Sequence, residues 1–333
     1  MSFLIDYLLF FAKALTVCLA VVFVFASILA LVAKAKRLPA ERLSIRKLND
    51  SYAAFKDTLH GALLSKKQKK QQRKADKKAE KSADKDLPRL FVIRFEGDMK
   101  ASAVSALREE VTAILLVAQS EDEVLCVLSS PGGLVNAYGL AASQLARLRE
   151  ASLHLTVVVD QVAASGGYMM AAVANRILAA PFAIIGSIGV VAQIPNFHRY
   201  LKNKAIDFEQ LTAGQYKRTL TMFGDNKPAD REKMQADLEA THDLFKDFIR
   251  QYRPMLNLEQ VATGEYWYGQ HALALGLIDG IQTSDDFCLS KQATHRLYAV
   301  RYAIKKPFLK RCGQAAQGML VKLGLLSLSE LDH

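Results

Sequence analysis

The chain has 333 residues, 51% of them hydrophobic, and a formal net charge of +11. That length holds a membrane anchor with one large domain, or two small domains. The four cysteines, Cys18, Cys126, Cys288 and Cys312, are scattered without metal or redox spacing, which leaves packed or free thiols and excludes a cysteine-built metal site.

Residues 7–33 are apolar except for Lys13. A run of that length crosses a bilayer with some tilt, and Lys13 near one end can reach the headgroups. A cleaved signal peptide would have a shorter apolar region closed by a cleavage site. Here Lys34, Lys36, Arg37, Arg42, Arg46 and Lys47 follow instead, so residues 1–37 are expected to be an uncleaved transmembrane anchor. The positive-inside rule places those basic residues, and the large domain behind them, in the cytoplasm.

Residues 38–87 form a basic linker, expected to be helical over 40–64 and of low complexity over 65–86. A strongly basic chain can serve nucleic acid or an anionic membrane surface. No aromatic interleaves the lysines of 65–86 to stack on a base, and the charge adjoins the apolar run. A tether lying on anionic lipid is therefore expected, and no nucleic acid.

Pro88 opens the folded domain, expected to span 88–290. Strands are expected at Leu90–Phe95, Val124–Leu128, 155–159, Ile177–Ala180 and Ile184–Val191. Helices are expected at Val104–Ala118, 134–151 and Tyr168–Ala174. Strands alternating with helices imply an α/β domain with a mainly parallel sheet. Residues 175–195 are apolar enough for a second span, but Arg176, Pro181, Gly186 and Gly189 argue for buried strands. A strand or loop over 206–220 precedes an amphipathic helix at 228–251, with Met234, Leu238, Phe245, Phe248 and Ile249 near one face. The tail, 291–333, mixes lysines with leucines and suits either a membrane surface or a packing helix.

The chemistry concentrates at 155–175. An apolar run ends at Asp160, and Ser165-Gly166-Gly167 leads into a helix. A strand-to-helix corner exposes a serine hydroxyl and suits a nucleophile. The same residues also describe an ordinary glycine-rich turn with Ser165 as N-cap. A nucleophile needs a base and donors for an oxyanion. His154, His198, His242 and His271 carry no partner motif or metal-ligand spacing. Lysine can replace histidine as base. It must then be uncharged, which burial among apolar groups favours. Lys217, in Ala213-Gly214-Gln215-Tyr216-Lys217-Arg218-Thr219-Leu220, stands apart from the linker lysines, although a surface lysine would read the same way. The N–H of Gly166 and the Pro131-Gly132-Gly133 turn supply candidate oxyanion donors, since glycine lets a carbonyl approach the main chain.

Five segments occur in one order: SSPGG at 129–133, AASGGYMMA at 163–171, GSIGVV at 186–191, GQYKRTL at 214–220 and GEYWYGQHALALGLID at 264–279. In that order they resemble peptidase family S49, the signal peptide peptidase A family. The single anchor and basic linker are most similar to its inner-membrane branch in Gram-negative bacteria. The resemblance covers about residues 88–285. It implies a ClpP/crotonase-like spiral fold and a Ser-Lys dyad, with Ser165 as nucleophile and Lys217 as general base. It also implies Ser187 as the hydroxyl that orients the lysine, and Gly133 and Gly166 as oxyanion donors, with Gly132 the alternative to Gly133. A homo-oligomer is implied, as are peptide or protein substrates such as signal-peptide remnants or membrane proteins, and no metal or other cofactor. Signal peptide peptidases work outside the cytoplasmic membrane, opposite to the side favoured by this chain's charges. Two other functions fit a spiral domain with an oxyanion turn: a crotonase-type acyl-CoA enzyme, which leaves Ser165 and Lys217 without a role, and a non-catalytic oligomeric scaffold.

Overall fold

The computed structural model describes residues 5, 8–23, 42–65, 67–68 and 87–303. Of the expected anchor, residues 8–23 are helical and exposed, while 7 and 24–33 lie outside the described residues. Among the described residues no helix is long and apolar enough to cross a membrane. The expected amphipathic stretch of the tail, 304–328, lies outside the described residues, as does most of the basic linker.

Residues 43–302 form one compact unit. Its main sheet has seven strands: β1 (Arg42–Lys47), β2 (Arg89–Glu96), β3 (Glu123–Ser129), β4 (His154–Val159), β6 (Arg176–Ala179), β9 (Gly280–Ile281) and β10 (Arg296–Ala303). Their spatial order is β1-β10-β2-β3-β4-β6-β9. The pairs from β10 to β9 are all parallel, with Ile93, Cys126 and Val157 in one row across the centre. Parallel strands covered on both faces read as unbroken apolar runs, which is why β3 and β4 were visible as such.

One face carries α2 (Val104–Leu115), α3 (Val135–Glu150), α4 (Gly166–Ala172) and the end of the long α6 (Pro228–Tyr252), packed with Phe91, Ile93, Phe95, Leu128 and Val157. The other face, Leu90, Leu125, Val127, Val158 and Leu178, is covered by α1 (Leu48–Leu63) and α9 (Ser284–Lys291) through Leu48, Tyr52, Phe287 and Cys288. Cys126 and Cys288 are unpaired and buried; burial pushes their thiols up, to about 12 and about 11. Of the five residues expected on the inner face of α6, Phe245 and Ile249 are buried, and Met234 and Leu238 in its first half are partly exposed. Arg253, just past α6, grips Asp279 through two nitrogens at 2.8 and 2.7 Å and bonds the Gly276 carbonyl.

A second, three-stranded sheet holds β5 (Val162–Ala164), β7 (Ile184–Gly186) and β8 (Tyr266–Tyr268), with β5 parallel to β7 and β7 antiparallel to β8. It is tied to the end of β3 by two bonds, Ser130 N–H to Val162 O at 2.8 Å and Ala164 N–H to Ser130 O at 3.0 Å. That junction, at the carboxyl ends of β3 and β4, is where an open parallel sheet offers a crevice.

Three expectations need correction, and a fourth is narrowed. Residues 42–47 are an edge strand, so the helix expected over 40–64 is confined, among the described residues, to Leu48–Leu63; RLSIRK has one β-branched residue, Ile45, and no breaker before Leu48 to announce the change. The strand expected at Ile184–Val191 stops at Gly186, where φ of 104° turns the chain. Residues 206–220, expected as a strand or loop, are loop. The folded unit also extends past 290, because β10 lies inside the sheet between β1 and β2.

Candidate active site

Ser165 lies between β5 and α4, at the junction of the two sheets. Its backbone has φ 51° and ψ −121°, a combination that costs a residue with a Cβ about 1–3 kcal/mol. Two bonds hold it there: its N–H donates to Gly186 O at 2.8 Å, and its carbonyl accepts from Met169 N–H at 3.0 Å. The residue is half-buried.

The Pro131-Gly132-Gly133 turn lies directly against it. A Cβ on Gly132, where φ is +89°, would fall 2.8 Å from Ser165 Cβ and 2.9 Å from Gly166 N. Consecutive N–H groups in the turn have different fates. Gly132 N–H donates to Ser130 Oγ at 3.1 Å, and Leu134 N–H donates to Met99 O at 2.9 Å. Gly133 N–H has no hydrogen-bond partner among the described residues, and Gly133 is half-exposed where Gly132 is buried. Gly166 is the first residue of α4, a position whose N–H has no acceptor within the helix. Among the described residues the N–H groups of Gly133 and Gly166 thus have no acceptor, whereas that of Gly132 has one.

Behind the turn lies a small buried polar cluster absent from the sequence-based expectations. Tyr138, fully buried on α3, donates its hydroxyl to Asp98 O at 2.8 Å and lies 2.6 Å from Ser130 Oγ. Burial raises the Tyr138 phenol and keeps its proton, against the weaker effect of the Ser130 bond. Tyr138 was hidden because a tyrosine on a helix face reads as core.

Ser187 lies one residue beyond the carbonyl that accepts the Ser165 N–H, so the two serines share a corner. Ser187 also has positive φ, 50°, and its N–H donates to Glu265 O at 2.6 Å. His242 of α6 closes the same corner, with its Nε2 3.2 Å from Ile188 O.

Lys217 is elsewhere. It is exposed, on an arm spanning roughly 192–227 that contains one short helix, α5 (His198–Asn203). Its N–H closes a turn on Gly214 O at 3.1 Å, and the adjacent Tyr216 ring sits 5.4 Å from the Lys233 ammonium of α6. About 14 Å of helix separates Lys233 from His242. The described residues hold no hydrogen bond between Lys217 and Ser165 or Ser187. The structure thus gathers Ser165, Gly133, Gly166 and Ser187 and leaves Lys217 outside that group.

Comparison with known sequences decides the lineage. A model described as "Peptidase family S49 N-terminal" matches residues 2–145, and one described as "Peptidase family S49" matches 147–297. The chain belongs to peptidase family S49. Among its relatives is a probable protease SohB of Haemophilus influenzae, 53% identical over 234 residues, covering 70% of this chain and 66% of that protein. Another, from Buchnera aphidicola subsp. Acyrthosiphon pisum, is 50% identical over 320 residues and 93% of both chains. A third, from Buchnera aphidicola subsp. Schlechtendalia chinensis, is 47% identical over 306 residues, covering 87% of this chain and all of that one. Membership of family S49 supports a peptidase, and the parallel-rich α/β unit accords with that family's architecture.

Proposed function

We propose that this S49 peptidase is a membrane-anchored serine endopeptidase with a ClpP/crotonase-like spiral fold, in which Ser165 is the nucleophile and Lys217 the general base. The observation that carries this is the strained, half-buried Ser165 beside the Gly132 turn, with two neighbouring main-chain donors, Gly133 N–H and Gly166 N–H, that have no acceptor among the described residues. Donors fixed in place before the reaction stabilise a developing oxyanion without reorganisation.

The uncharged Lys217 amine takes the proton of Ser165 Oγ as that oxygen attacks the peptide carbonyl carbon. The tetrahedral oxyanion rests on the two N–H groups. The C–N bond breaks, and the Lys217 ammonium gives its proton to the leaving amine. A water molecule then gives its proton to Lys217 while its oxygen attacks the acyl ester; that proton returns to Ser165. Ser187 orients the amine. Because Lys217 stands in solvent in this structure, the cycle begins with closure of its arm onto Ser165. The arm suits such a movement. Its aromatic centre, Phe197, Phe208 and Phe223, has ring centroids 6.1 and 5.7 Å apart, and Asn196 Nδ2 bonds Thr221 O and Gly224 O within it. Substrates are peptide segments of small or apolar residues, including signal-peptide remnants and membrane proteins.

The test is acylation. A fluorophosphonate probe labels the wild-type chain, and Ser165→Ala is not labelled; Lys217→Ala labels far more slowly. Equal labelling of wild type and Ser165→Ala removes the proposal.

A further inference from the structure

Tyr138 and Ser130 do more than fill space. The Tyr138 hydroxyl has one proton, and it goes to Asp98 O at 2.8 Å. The 2.6 Å contact with Ser130 must then be donated by Ser130 Oγ. The lone pairs of Ser130 Oγ accept the Gly132 N–H at 3.1 Å. The bonds thus run in one direction, from Gly132 N–H through the serine and tyrosine hydroxyls to the Asp98 carbonyl. Hydrogen bonds so aligned polarise and strengthen one another.

The relay moors the front of the turn to the 97–99 loop, and Leu134 N–H to Met99 O moors the back. Gly133 N–H lies between the two moorings in the chain. Tyr138 also bounds the other donor: a Cβ on Gly166 would lie 2.4 Å from Tyr138 Cγ, and a Cβ on the next residue, Gly167, would lie 2.5 Å from the main-chain carbonyl oxygen of Ser130. Both halves of the hole are thereby referenced to a single buried pair, each member fully buried.

We propose that Ser130 and Tyr138 are positioning residues of the oxyanion hole, acting through the hydrogen-bonded relay from Gly132 N–H to Asp98 O. This rests on the Ser165 peptidase proposal and deepens it. The pair touches no substrate; it fixes where the Gly133 and Gly166 donors sit. Its loss therefore falls on the transition state and spares substrate binding.

The experiment compares Tyr138→Phe, Ser130→Ala and Tyr168→Phe in the full chain, with a fluorogenic peptide and a peptide aldehyde inhibitor. Tyr168 is the control: it is equally buried, and its hydroxyl donates to Leu277 O at 2.9 Å, away from the turn. Tyr138→Phe and Ser130→Ala lower kcat about 10-fold or more, less than the roughly 10²–10³-fold of a deleted donor. KM stays within about twofold, and aldehyde affinity falls in step with kcat. Tyr168→Phe lowers Tm comparably and leaves kcat unchanged. If Tyr138→Phe does not fold, Ser130→Ala carries the comparison alone. Kinetics in either relay variant that match those of Tyr168→Phe overturn the relay, while Ser165→Ala inactivity keeps the peptidase proposal standing. A wild-type chain that cleaves nothing overturns both.

Discussion

The two halves of the proposed dyad lie in regions of opposite character. Ser165 sits at the junction of two sheets, its backbone bonded on both sides and its donors set by buried neighbours. Lys217 sits on an exposed arm held together by its own aromatic cluster. The nucleophile and the hole are built by folding. In the proposed mechanism the base arrives by a movement, so the arm would govern activity without any change in the core.

The largest expected effect is on the rigid side. In Gly132→Ala, the new Cβ would sit 2.8 Å from the Ala164 carbonyl at a φ of +89°. Turnover should fall roughly 10²–10³-fold, as for loss of one oxyanion donor, with an unchanged circular dichroism spectrum. Turnover near wild type would show that the turn is not as tightly set as the core demands.

The next effect concerns stability alone. Asp122 is buried and accepts Arg89 Nε and Nη2 together with the main-chain N–H groups of Arg89 and Gln119. Burial acts to raise its pKa, but those bonds outweigh burial and hold the carboxyl below its ordinary value. Asp122→Asn should lower stability by about 2 kcal/mol in urea denaturation, the loss of hydrogen bonds to a charged group whose partner, Arg89, stays partly exposed. A depressed carboxylate stabilises the fold fully above its unfolded value, near about 4, and that contribution is lost as pH falls through the lower folded value. Asp279, also held low against burial by Arg253 and the Ile177 N–H, follows the same course. Wild-type stability should therefore decline on acidification below about pH 4, and Asp122→Asn should decline less steeply. Parallel pH curves would remove Asp122 from this account.

The smallest effect is on the arm. Lys202, Lys204, Lys217 and Arg218 are all exposed there. Within residues 87–303, brief trypsin treatment should cut first at those positions and leave the melting temperature of the core within a few degrees, because the arm is packed by its own residues. A bound peptide aldehyde should slow those cuts, since closure withdraws the arm. First cuts within α2 or α3 would erase the contrast between the regions.

The same contrast explains what the sequence disclosed. β3 and β4 are buried on both faces, so VLCVL and LTVVV announce themselves. β10, RLYAVRYA, lies toward the edge and keeps charged residues, and β5 and β8 are three residues each, too short to carry a period. Ser165, Gly133 and Gly166 stood out as a glycine-rich corner at a strand end, a pattern that an ordinary capped turn shares, and only the five ordered segments singled them out. Ser130 and Tyr138 did not stand out, since their pairing depends on how α3 folds back over the end of β3. The arm has no hydrophobic period, so nothing in its residues states which surface Lys217 faces.

The proposed oxyanion donors belong to the main chain, and that bears on resistance. An inhibitor that borrows the Gly133 and Gly166 N–H groups offers a mutating cell no side chain to discard. The remaining escape is to add atoms at those glycines, and a Cβ at 133 would lie 2.2 Å from Met99 O, one at 166 2.4 Å from the Tyr138 ring. Each route distorts the scaffold that the organism would need to keep.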